Sequence, residues 1–128
     1  MTTKSSILAL VLLCSTLAVA PAVDAAAFHF GLRQSAPAAD AQVASPEEVR
    51  LWFTQVPQEN SVAIRVIDPA GEALETGEVA SDPDDGKIVY VTVGETLPAG
   101  KYTVSWRGIG DDGHVVRGDF AFSVTAQQ

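Results

Sequence analysis

The sequence predicts an all-β domain, an antiparallel Greek-key β-sandwich or barrel of immunoglobulin-like form with about seven strands. Three observations carry that prediction. Beyond residue 28, short runs of alternating apolar residues recur at intervals of roughly 8–12 residues, each bounded by Pro, Gly, Asp or Asn. The runs are rich in β-branched and aromatic residues, which fit a pleated, half-buried surface. No stretch of useful length repeats at the helical period. Six or seven strands in about one hundred residues, with no helices to make crossovers, favour antiparallel pairing over a parallel sheet.

The first 27 residues belong to a different regime. A polar start carries Lys4, Ile7 to Ala20 form an apolar run, and small residues crowd Ala20 to Ala27. That order marks a cleaved secretory signal. The run falls short of the roughly 20 apolar residues that a spanning helix needs. Both Val23-Asp24-Ala25 and Ala25-Ala26-Ala27 fit the small-x-small pattern read at cleavage, so the mature start is expected near Ala26, Phe28 or His29. Residues 28–128 then form one domain, with no internal repeat.

Export removes the single cysteine, Cys14, which lies inside the apolar run without the small residue that lipoprotein processing places before its cysteine. A mature chain without cysteine has no disulfide, no thiolate ligand and no cysteine nucleophile. Lys4 and Asp24 cancel, so the net charge of −8 resides in the mature part. That balance argues against a nucleic-acid partner and fits a soluble exported protein.

In chain order, the clearest strands are Val49–Phe53, Val62–Ile67, Lys87–Val93, Tyr102–Arg107 and Gly118–Val124. In the last, Phe120, Phe122 and Val124 share one face while Asp119, Ala121 and Ser123 share the other, as in a sheet with one buried side. Val62, Ile64 and Val66 repeat the pattern. Turns are expected at Asp68-Pro69-Ala70-Gly71, Asp82-Pro83-Asp84-Asp85-Gly86 and Leu97-Pro98-Ala99-Gly100, where Pro and Gly supply the required φ values. The Asp82–Asp85 cluster lacks the spacing and closing glutamate of a calcium loop and reads as a turn. Trp52 and Trp106 are expected to pack between the sheets.

The mature chain holds two histidines, His29 at its start and His114 in Gly110-Asp111-Asp112-Gly113-His114. Neither is placed like a core histidine. The first and last strands of a small sandwich can end at the same pole, bringing the two segments together. Two imidazoles, an Asp and a terminal amine suit the tetragonal N/O geometry of Cu²⁺. The only methionine is Met1, so a methionine-rich Cu⁺ site is excluded by composition. Spacing alone leaves both readings open, because Asp-Gly is first a turn signal. Asp111 is an alternative to Asp112. No nucleophile elbow accompanies His114, which argues against a hydrolase.

The segment His29-Phe30-Gly31-Leu32-Arg33-Gln34-Ser35-Ala36-Pro37-Ala38 resembles the start of the CopC copper-resistance proteins, where a histidine precedes a leucine and a Ser-x-Pro-Ala turn. Val49–Thr54 is similar to the family's next strand. The block Leu97-Pro98-Ala99-Gly100-Lys101-Tyr102-Thr103-Val104-Ser105-Trp106-Arg107, followed by Asp112-Gly113-His114 and Gly118–Phe122, is its most specific part.

The resemblance implies a periplasmic binding protein, not an enzyme, that sequesters or shuttles one Cu²⁺. Its ligands at the family's positions are His29, Asp112 and His114. It also implies a monomer and a CopD-type inner-membrane partner. Two departures stand out. A chain cleaved after Ala27 places Phe28 ahead of His29, so that amine, amide and imidazole come from two residues. Gln55 stands where many relatives carry a glutamate near the metal. The competing expectations are a metal-free immunoglobulin-like interaction module and an oxidase of the N-terminal-histidine type, for which the domain leaves little room for a substrate face.

Overall fold

A computed structural model describes residues 29–126. The expected signal segment lies outside these residues. Eight strands follow in order: β1 Leu32–Ala36, β2 Gln42–Val43, β3 Glu48–Phe53, β4 Ala63–Ile67, β5 Ala80–Ser81, β6 Ile88–Thr92, β7 Gly100–Ile109 and β8 Val115–Val124. They form two four-stranded sheets, β1-β3-β6-β5 and β2-β8-β7-β4. The all-β sandwich is therefore as expected, with two very short strands, β2 and β5, at sheet edges.

One pairing departs from the antiparallel expectation. β2 runs parallel to β8, matching Gln42 with Ser123 and Val43 with Val124. After β1 the chain crosses from one sheet to the other, and Asp40 N–H donates to Ala121 O at 2.7 Å to dock the crossing beside β8. β8 also begins earlier than the sequence pattern indicates. Its ten pairs with β7 run without a break from Gly100–Val124 to Ile109–Val115.

Alternation along the strands builds the core. Val49, Leu51 and Phe53 of β3 face Val66, Val104, Trp106 and Phe122 of the opposite sheet, with Val89 and Val91 beside them. No polar or charged residue among those described is buried. Burying such apolar side chains contributes roughly 1.5–3 kcal/mol each before the entropy of ordering is subtracted. Trp106 lies in this core, its ring edge-on to Phe53 at 5.4 Å. Trp52 does not: it alternates out of phase with Leu51 and Phe53 and sits half-exposed on the outer face. The period of two, not ring size, decides which tryptophan is inside.

The predicted turns form with side-chain support. Asp68 Oδ1 accepts from both Ala70 N and Glu72 N at 2.9 Å. Asp82 Oδ1 accepts from Asp84 N at 2.8 Å and Asp85 Oδ1 from Lys87 N at 3.0 Å, so the acidic cluster is a pair of Asx turns. Asp82 also pairs with Arg50, Oδ2 to Nη1 at 3.2 Å. Its carboxyl is held below the usual range first by the Asp84 N–H and then by that guanidinium. Entering β7, Tyr102 donates its hydroxyl to Pro98 O at 2.7 Å, a tyrosine corner that pins the turn to the core. Burial raises this phenol's pKa above its ordinary value.

Candidate metal centre

The β7–β8 hairpin ends in the loop Gly110–His114, at the same pole as the start of the described chain. Gly113 N–H donates to Gly110 O at 3.0 Å, closing a turn. Gly113 takes φ 79°, a left-handed conformation that favours glycine. This turn lets the Asp-x-His spacing fold back on itself. His114 N–H donates to Asp112 Oδ1 at 3.0 Å, and His114 Nδ1 lies 3.0 Å from Asp112 Oδ2. One carboxylate thus fixes both the backbone and the ring of the residue two places on.

The pair stands in solvent, with the His114 side chain 82% and that of Asp112 47% exposed. The Asp112 carboxyl is held below the ordinary carboxylate range, first by the His114 backbone N–H. Contact with the His114 ring lowers it further, and so does the charge of His29.

His29 is delivered to the pole by its neighbours. Thr54, just after β3, donates Oγ1–H to His29 O at 2.7 Å and accepts from Gly31 N at 3.0 Å. Its own N–H donates to Gly31 O at 2.9 Å. Phe30 is buried, stacked on Phe53 at 4.8 Å. It lies over glycines of β7 and the loop: a Cβ on Gly108 would stand 2.8 Å from the Phe30 ring, and one on Gly110 would stand 2.5 Å from Phe30 Cβ. Gln58 ties the third segment in, its N–H to Ile109 O at 2.8 Å and its Nε2 to Gly110 O at 3.0 Å.

Of the three expected ligands, Asp112 and His114 are joined directly, and His29 stands beside them rather than in contact. As the side chains are placed, no three His, Cys, Asp or Glu among the described residues form a ready metal cluster. Asp112 rather than Asp111 faces the ring, and Gln55 Oε1 lies 3.5 Å from Asp111 N at the edge of the same pole. The donor set consists of imidazole and carboxylate, without thiolate or thioether among the described residues. Such donors could hold a borderline first-row cation, copper, zinc or nickel among them. Sequence reasoning passed over Thr54, Phe30 and Gln58. The available signal was a hydroxyl residue ending an apolar strand, together with an aromatic next to the terminal histidine.

The fold and this pole together define a small all-β sandwich with exposed nitrogen and oxygen donors at one end. The chain matches the CopC domain model over residues 32–125 and belongs to the CopC family. It is 33% identical to Protein YobA of Escherichia coli K12 over 96% of this chain and 97% of that one. Among solved structures it resembles CopC from Methylosinus trichosporium OB3b, with a TM-score of 0.71 and 28% identity, covering 78% of this chain and 97% of that one. It also resembles PcoC, a methionine-rich copper resistance protein from Escherichia coli. There the TM-score is 0.68 and the identity 29%, over 76% of this chain and 99% of that one.

Proposed function

We propose that this protein is an exported copper-binding protein of the periplasm that holds one Cu²⁺ at the pole formed by His29, Asp112 and His114, and that it buffers or passes on the ion without catalysing a reaction. The observation that carries this reading is the Asp112–His114 pair, 3.0 Å apart and oriented by a closed turn, beside a tethered segment that presents His29. Its relatives in the CopC family include proteins named for copper resistance.

The chemistry follows from the donors. When His114 Nδ1–H bonds to Asp112, the ring's lone pair lies on Nε2, which points away from the carboxylate and is free to coordinate. In that arrangement Asp112 orients the ring from behind, and for its oxygens to reach the same ion the His114 ring must first turn away from them. His29 supplies a second imidazole, and a leader removed close to it adds an amine. Because only the neutral imidazole coordinates, metal competes with protons for these ligands and affinity falls on acidification. The absence of methionine after Met1 makes the site selective for Cu²⁺ over Cu⁺ and distinguishes it from a methionine-rich relative. The ion is cargo, and a CopD-type membrane protein is the receiving or donating partner that fits the family.

The test is Cu²⁺ competition titration of the exported protein and of His114→Ala. The expected outcome is one equivalent bound by the parent and a loss of at least about tenfold in affinity for the variant, equivalent to about 1.4 kcal/mol. Unchanged affinity in His114→Ala would remove this site. No copper-dependent rise in melting temperature of the correctly processed parent would favour a metal-free interaction module instead.

A further inference from the structure

The outer face of the β2-β8-β7-β4 sheet carries a charge arrangement that the copper pole does not use. Register places Ala63, Arg107 and Arg117 in one row across β4, β7 and β8. The next row on that face is Arg65, Ser105 and Asp119. Arg65, Arg107 and Arg117 therefore meet over the small residues Ala63 and Ser105, around a shallow cleft of about 350 Å³. The chain has eight lysines and arginines against sixteen acids, yet three of the eight gather here.

No carboxylate among the described residues lies within salt-bridge distance of them, although Asp119 stands in the next row. Arg50, on the other sheet, has Glu48 at 2.9 Å and Asp82 at 3.2 Å. Arg65, Arg107 and Arg117 enter no ion pair among the described residues. Asp119, the carboxylate in the adjoining row, borders a separate depression with Gly118 and Phe120. Arg107 and Arg117 are direct cross-strand neighbours, and like charges so placed destabilise a sheet. In an acidic protein, a repulsive pair with a third cation beside it is accounted for by an anion that binds from outside.

We propose that the Arg65–Arg107–Arg117 cleft is a phosphate-binding site, which takes a phosphoryl group either free in solution or on a phospholipid headgroup. Guanidinium forks match the oxygens of a tetrahedral oxyanion bidentately, and the three positive charges more than offset a dianion. The Ser105 hydroxyl adds a neutral donor at the cleft. The volume is at the small end of ligand sites, roughly 300–1,000 Å³, and suits a headgroup-sized ligand. On this face only the Ile109–Val115 pair separates the arginine row from the Gly110–His114 loop. An anion bound here would lower the local positive potential near the copper pole without sharing its ligands.

The experiment titrates the exported protein with inorganic phosphate at constant ionic strength, following arginine Nε–Hε NMR signals and melting temperature. It is repeated with Arg107→Gln, Arg117→Gln and the charge-keeping Arg107→Lys. Saturable shifts at the three arginines and a phosphate-dependent rise in melting temperature are expected in the parent. Affinity should fall about tenfold in each variant, the scale of one lost charge-assisted contact. Without phosphate, the two Gln variants should melt no lower than the parent, since each removes repulsion. Co-sedimentation with phosphatidylglycerol vesicles, set against phosphatidylcholine vesicles, separates the sources. Binding to the former without saturable free phosphate assigns a lipid headgroup, and free phosphate alone assigns a soluble ligand. Non-saturating shifts together with no preference for phosphatidylglycerol overturn the proposal, as does parental affinity in both Gln variants.

Discussion

Thr54→Val is the sharpest probe of how the proposed copper pole is assembled. Valine keeps the shape of threonine and removes one hydroxyl, which donates to His29 O at 2.7 Å and accepts from Gly31 N at 3.0 Å. The backbone bond from Thr54 N to Gly31 O remains, and Phe30 stays stacked on Phe53. Each lost bond is worth about 0.5–1.5 kcal/mol net. The bond to His29 O is solvent-exposed and belongs at the low end. The bond from Gly31 N is half-buried and leaves a donor to be rehydrated. Together they come to about 1.5–2 kcal/mol, and nearly all of it acts on residues 29–31. If that ordering is needed to present His29, Cu²⁺ affinity falls about tenfold or somewhat more. The apo melting temperature should drop by much less than the several degrees that the same energy would cost in the core. Competition titration and thermal melts, each with and without copper, measure both quantities. Parental copper affinity in Thr54→Val would refute the tether argument. An apo loss as large as that of a core truncation would show that Thr54 serves the whole fold and not the pole.

Two further predictions concern the scaffold. In Gly118→Ala the new Cβ would stand 2.7–2.9 Å from the Trp106 atoms Cζ2, Cε2 and Nε1, a rigid ring already held against Phe53, so a loss of about 1–3 kcal/mol is expected in urea unfolding. An unchanged midpoint would mean that the indole has room to shift. Tyr102→Phe removes the bond to Pro98 O and should cost about 1 kcal/mol at neutral pH. The folded phenol has a raised pKa, so its contribution is fully present below the unfolded value near about 10 and is lost as pH rises through the folded value. Melting temperature between neutral and strongly alkaline pH should fall more steeply for the parent than for Tyr102→Phe, and parallel curves would contradict this.

What the sequence discloses follows from how local each signal is. Val49–Phe53, Val62–Ile67 and Lys87–Val93 alternate cleanly; the structure places β4 and β6 within the last two, and β3 starts one residue earlier, at Glu48. β2 and β5 have two residues each, too few to show a period, and they exist because neighbouring strands offer open edges. β8 reaches back to Val115 because ten successive pairs with β7 propagate through Gly118, where a reading of one strand alone stops. Membership of a strand alone puts Trp52 between the sheets, whereas its odd position relative to Leu51 and Phe53 points it outward. Asp112 and His114 were legible because a two-residue spacing and a Gly turn are local. Thr54, Phe30 and the arginine row were not, since each depends on register between segments far apart in the chain.

The interior between the two sheets is apolar throughout the described residues, while His29, Asp112 and His114 all lie outside it. On the proposed function, a carrier built this way closes its fold without help from its cargo, and its empty and loaded forms are expected to share one outline. Any protein that must tell them apart receives no news through the body of the sandwich. It has to read the few exposed atoms of the hairpin tip and the neighbouring chain start directly, by touching them.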